Sequence, residues 1–123
     1  MPARLRPLPE DELTAVLERL DAATTGAASA TEDIRAAVKH FLAVLTARAP
    51  GKSVEVRVPP YAAVQCVEGA RHTRGTPPAV VETDAATWLA LARGHETFAQ
   101  AQYDGRVRAS GERSDLTPLL PLT

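Results

Sequence analysis

Val80-Val81-Glu82-Thr83-Asp84 begins the stretch that decides the fold, and that stretch runs on to Leu122. Ala79 to Glu82 is apolar and β-branched enough for a strand. Thr83 and Asp84 follow it as good helix N-caps. Ala85, Trp88, Leu89 and Ala92 then share one helical face. Gly94 suits the left-handed position after a helix end. A second helix is predicted from Thr97 to Tyr103, anchored by Phe98 and Ala101. Between Gly105 and Gly111, Val107 and Ala109 alternate with Arg106, Arg108 and Ser110, the pattern of a half-buried strand. Ser114 or Asp115 caps a final short helix whose apolar side is Leu116, Leu119 and Leu120. Pro118 fits there only in the first turn.

The chain before this stretch supplies its partners. Residues 1–8, with Pro2 and Pro7, read as an irregular arm. Pro9-Glu10-Asp11-Glu12 opens a helix, because proline suits the first turn and acids favour the positive end of the helix dipole. Leu13, Val16, Leu17 and Leu20 form its apolar face. Thr24 to Ala28 reads as a linker of small residues. Ser29 to Glu32 begins a second helix, in which Ile34, Val38, Phe41, Leu42 and Leu45 make the clearest amphipathic stripe in the chain. His40 flanks that stripe and reads as a structural histidine. Pro50-Gly51 ends the helix.

Val54, Val56 and Val58 then point one way, and Ser53, Glu55 and Arg57 the other. Pro59-Pro60 stops this strand. Tyr61 to Glu68 is apolar on both parities, as a more central strand would be. The tight bend predicts an antiparallel pair for these first two strands. The helical crossover from the third strand to the fourth would allow a parallel pair.

A chain of 123 residues with 45% hydrophobic content suggests one domain, residues 1–123, with one core. Aromatics make up only 4%, so most of that core is aliphatic. A net charge of −1 gives no bulk attraction to nucleic acid, and no nucleic-acid partner is expected. One cysteine, Cys66, excludes an internal disulfide and a cysteine-built metal site. Its apolar neighbours make it a structural thiol. His72, His95 and Glu96 lack the helical i, i+4 spacing of zinc-binding histidines. No metal and no cofactor is expected. No signal core or membrane-length apolar run is present, so a cytoplasmic location without stable membrane insertion is expected.

Several motifs resemble the sterol carrier protein, or non-specific lipid-transfer, family. Thr83-Asp84-x-x-Thr87-Trp88-Leu89-x-Leu91-Ala92-x-Gly94, Gly105-x-Val107-x-Ala109-Ser110-Gly111 and Asp115-Leu116 are similar to its C-terminal half. Val54-Glu55-Val56-Arg57-Val58-Pro59-Pro60, Gln65-Cys66-Val67-Glu68-Gly69 and His72-Thr73-Arg74-Gly75-Thr76-Pro77-Pro78 resemble its small bacterial members. The resemblance covers residues 50–123 and leaves residues 9–49 as N-terminal helices. It implies an α+β fold, with helices packed on one face of a mixed sheet of four to five strands. An apolar cavity for a lipid would lie between the layers. The chain departs from the pattern by placing two helices before the first strand.

Two residue sets follow. Phe41, Leu45, Val64, Trp88, Leu89, Phe98, Leu116, Leu119 and Leu120 either fill a core or line a mostly apolar ligand pocket. Arg57, His72 and Arg74 either belong to a solvated surface, with Glu68 pairing Arg71 or Arg74, or converge on an anion. Arg106 and Arg108 read as a solvated strand face. The expectation is a carrier of lipid, acyl chain or another amphipathic small molecule, with no chemistry of its own. The alternatives are a closed-core module that binds a protein or a second copy of itself, and an accessory subunit with an anion site at the loop from Arg71 to Pro78.

Overall fold

Alternating valines make β1 (Val54–Val58), and Pro59 and Pro60 turn the chain back into β2 (Ala62–Cys66). The computed structural model describes residues 5–22, 29–69, 79–111 and 113–123. The predicted linker from Thr24 to Ala28 and the loop from Arg71 to Pro78 lie outside the described residues. Before β1 come α1 (Glu10–Ala22) and α2 (Ser29–Arg48). After β2 come β3 (Ala79–Thr83), α3 (Ala85–Ala92), α4 (Phe98–Tyr103) and β4 (Val107–Ser110). The last element is a single 3-10 turn, Thr117–Leu119. The architecture is α+β, with a mixed sheet of four strands among the described residues.

The sheet order is β2-β1-β3-β4. β1 and β2 are antiparallel, as the Pro-Pro bend predicts. The third and fourth strands do not take the parallel pairing that a helical crossover would allow: β3 and β4 are antiparallel, and the parallel pair is β1 with β3. Thr83 at the end of β3 sits opposite Val107 at the start of β4. The two helices between them are only 8 and 6 residues long and break at Gly94. They make an out-and-back excursion that returns to the end of the sheet it left, where a parallel pair would need a crossover along the whole strand length.

β2 is an edge strand, not a central one. Within β2 the second parity holds only the small Ala63 and the polar Gln65, which an exposed face tolerates. Ala63 is exposed and Val64 half-buried, and only Cys66 is fully covered.

The helices cover one face of the sheet. Val54, Val56, Val58, Val81 and Val107 point into it and meet Val38, Phe41, Leu42 and Leu45 of α2. Asp84 caps α3 as predicted, its Oδ1 accepting the Thr87 N–H at 2.7 Å. The buried face of α3 includes Leu91 beside Trp88 and Ala92, while Leu89 is only half-buried. Thr97 caps α4. Arg106 then brackets that helix, donating to Glu96 before it and Asp104 after it. This holds the Glu96 carboxyl below its ordinary range, and Arg106 is an engaged, half-buried group rather than a solvated one.

α1 buries only Val16 and rests on α2. Two forked guanidinium–carboxylate pairs fasten it, Arg19 with Asp33 and Arg93 with Asp21. Both are solvated, so packing of Leu13, Val16 and Leu17 contributes more than charge does.

The entrance to β1 is tied to the exit of β2. Val67 has φ of 63°, a region a β-branched residue rarely occupies. Its N–H donates to the Ala49 carbonyl at 2.7 Å, and its carbonyl accepts from the Ser53 N–H and hydroxyl at 3.0 and 2.6 Å. Gly51 lies against that carbonyl.

Candidate functional site

The apolar set predicted from the sequence comes together between the sheet and the helices. Phe41, Leu45, Trp88, Phe98 and Leu116 are buried members of one cluster, at most 3% exposed. Val64, Leu89, Leu119 and Leu120 are half-buried at its margin. Trp88 also links two helices, its indole N–H donating to the Val38 carbonyl at 3.3 Å across to α2. Leu122, which the sequence reading passed over, is 4% exposed and belongs to the same cluster. The signal for it was weak, because an apolar residue after Pro121 has no periodicity to place it.

Residues 116–122 form a strap over this cluster. Asp115 Oδ1 accepts from the Thr117 N–H and hydroxyl at 3.0 and 2.6 Å, which starts the 3-10 turn. These bonds hold the Asp115 carboxyl below its ordinary range. Further along, the Leu122 N–H donates to the Ala92 carbonyl at 2.8 Å, and Arg48 Nη1 donates to the Pro121 carbonyl at 2.8 Å. The strap therefore spans α2 and α3 with few polar links. The expected final helix is reduced to one turn because Pro118 and Pro121 leave no room for a regular one.

Of the polar set only Arg57 falls among the described residues. Arg57 is exposed on the helix-free face, as its parity predicts, and is engaged by Glu55 on its own strand. His72 and Arg74 lie outside the described residues. Cys66 is buried, and burial pushes its thiol up to about 11, which leaves it un-ionised at neutral pH. Among the described residues no helix is long and apolar enough to cross a membrane, and no group of three His, Cys, Asp or Glu side chains is placed to hold a metal ion.

The bacterial SCP ortholog family matches residues 30–122. The chain belongs to that family. The match reaches back through α2, further than the motifs from residue 50 onward that suggested it, and it leaves α1 outside. No curated protein matches the chain closely enough to count as a relative. The matched segment takes in α2 from its second residue and every later element, and α1 packs against it from outside the match.

His40 ties the chain just ahead of α1 to α2. Its Nδ1 accepts the Leu8 N–H at 2.8 Å, so the neutral ring carries its proton on Nε2. Burial holds the imidazole below its ordinary value. A depressed histidine favours the fold in its neutral form. Its contribution is therefore complete above the ordinary value near ~6.5 and is lost as pH falls through the lower folded value. Stability measured by urea unfolding should decline below pH ~6.5, before carboxylates titrate. His40→Asn, whose amide oxygen can still accept from Leu8, should flatten that decline. An unchanged slope in the variant would remove His40 as its source.

Proposed function

We propose that this protein is a cytoplasmic carrier for an acyl chain or similar amphipathic molecule, with no chemistry of its own. The reading rests on membership of the family and on one structural observation, the strap of residues 116–122 over the apolar cluster. A lipid tail needs an apolar interior, and it needs a way in. A segment fixed by a few hydrogen bonds opens more readily than a central strand. With the strap displaced, the tail would replace the contacts of Leu116, Leu119, Leu120 and Leu122. Arg48, released from the tail carbonyls, would meet a carboxylate at the mouth.

A fluorescent fatty acid should bind saturably, with Trp88 quenched or acting as energy donor. Leu119→Asp and Leu120→Asp should each weaken binding more than Arg106→Ala does, because an unpaired carboxylate in an apolar wall is costly to desolvate. The second reading is a closed-core module that binds a protein. The dense burial of Phe41, Leu42, Leu45 and Trp88 favours it. Absence of saturable binding across several chain lengths, in protein that keeps its native Trp88 emission, would decide for that module.

A further inference from the structure

The helix-free face of the sheet carries a second feature, remote from the apolar cluster. A depression of about 170 Å³ lies there, lined by Arg57, Val80, Glu82, Arg108, Ala109 and Ser110. The register explains its shape. Arg57 pairs across with Glu82, and Glu82 with Arg108, so three long side chains stand in one row over β1, β3 and β4. In the next row on that face Val80 sits opposite Ser110. Short side chains beside long ones leave a hollow.

Arg57 feels the charge of Glu82 across the ladder, but among the described residues the three side chains of this row form no close ion pair with one another. Oppositely charged residues directly across an antiparallel ladder ordinarily pair. Yet among the described residues neither Glu82 nor Arg108 takes part in an ion pair. Arg57 is already turned to Glu55. The hollow thus presents the half-buried Glu82 carboxylate between two exposed guanidiniums, Arg57, which Glu55 already engages, and Arg108, on the adjacent strand about 5 Å away. A simple anion would face Glu82, and a simple cation would face Arg108. A group carrying both an ammonium and an anionic oxygen set, two or three atoms apart, satisfies both. Ser110 adds a hydroxyl that either donates or accepts.

We infer that this depression is a binding site for a small zwitterionic group, with Glu82 holding its ammonium and Arg108 its phosphate or carboxylate. The chemistry is common to a free amino-alkyl phosphate or amino acid and to the head group of an ethanolamine lipid. The site is independent of the interior reading, since it lies on the opposite side of the sheet and its probes need no acyl chain.

The test is an amide chemical-shift titration of the full chain with phosphoethanolamine, inorganic phosphate and ethylammonium. Phosphoethanolamine should shift Val80, Glu82, Arg108 and Ser110 saturably and more tightly than either half alone. Glu82→Gln and Arg108→Gln should each weaken it about tenfold, the loss of one charge-assisted hydrogen bond, with Trp88 emission unchanged. Co-sedimentation with phosphatidylethanolamine vesicles, against phosphatidylcholine vesicles that offer no ammonium N–H, separates the two sources. Binding to both free and vesicle head groups points to a membrane surface, and binding to the free form alone to a soluble metabolite. Either supports the site. Equal shifts from phosphate alone, binding that ignores Glu82→Gln, or no saturation with phosphoethanolamine would overturn it.

Discussion

Replacing Trp88 by alanine is expected to remove ~3–5 kcal/mol of folding stability, the cost of emptying a large, closely packed site. Trp88 is 1% exposed and bridges α3 to α2 through its indole N–H. It is the chain's one tryptophan. A domain of this kind holds only ~5–15 kcal/mol in total, so the variant should be marginal. Trp88→Phe keeps most of the volume and loses the hydrogen bond, so it should recover much of the difference. Urea unfolding followed by far-ultraviolet circular dichroism measures both. A loss under ~1 kcal/mol for the alanine variant would mean the interior collapses around the gap, and that the site is not tightly packed.

Gly51→Ala is the second large effect. Gly51 has φ of 149°, and a Cβ there would lie 2.2 Å from the Val67 carbonyl carbon and oxygen and 2.4 Å from the Glu68 nitrogen. All three are backbone atoms that cannot step aside by changing rotamer. Backbone strain and forced overlap together should cost about 2–4 kcal/mol. Gly105→Ala is the control. Gly105 also has positive φ, at 79°, but a Cβ there meets nothing within 4 Å. It should cost only ~1–2 kcal/mol, the left-handed penalty alone. Equal losses in the two variants would show that the contact with Val67 relaxes freely.

Most of the fold was legible in local pattern. The valines of β1, the stripe of α2, the caps Asp84 and Thr97 and the glycine breaks each carry a local physical signal, and each element stands where that signal puts it. What local pattern could not supply was sheet order. Whether Val80 and Glu82 neighbour Arg57 or Arg108, or both, depends on how an eight-residue and a six-residue helix fold back, and no periodicity within β3 encodes that. The same gap explains β2, whose double-sided alanines mimic a central strand although it lies at the edge. It explains the surface site as well. Arg57 and Arg108 were visible as outward-facing arginines, but Glu82 between them was not, because only the register of three strands puts the three in a row. The apolar set was easier, since burial follows helical spacing, although Leu91 and Leu122 show how a one-residue rotation or a proline-bound tail escapes it.

The placement of Cys66 gives the molecule a built-in clock. The thiol is the only one in the chain, and it is fully covered at the end of the edge strand, next to the strained Val67. A thiol reagent reaches it only when that end of β2 peels from β1. With excess reagent the modification rate then equals the peeling rate, and with dilute reagent it follows the fraction of time spent peeled. Ligand-induced tightening of the sheet, or loosening by the Gly51 variant, becomes readable as a change in one chemical half-life, with no label added and no residue replaced to obtain it.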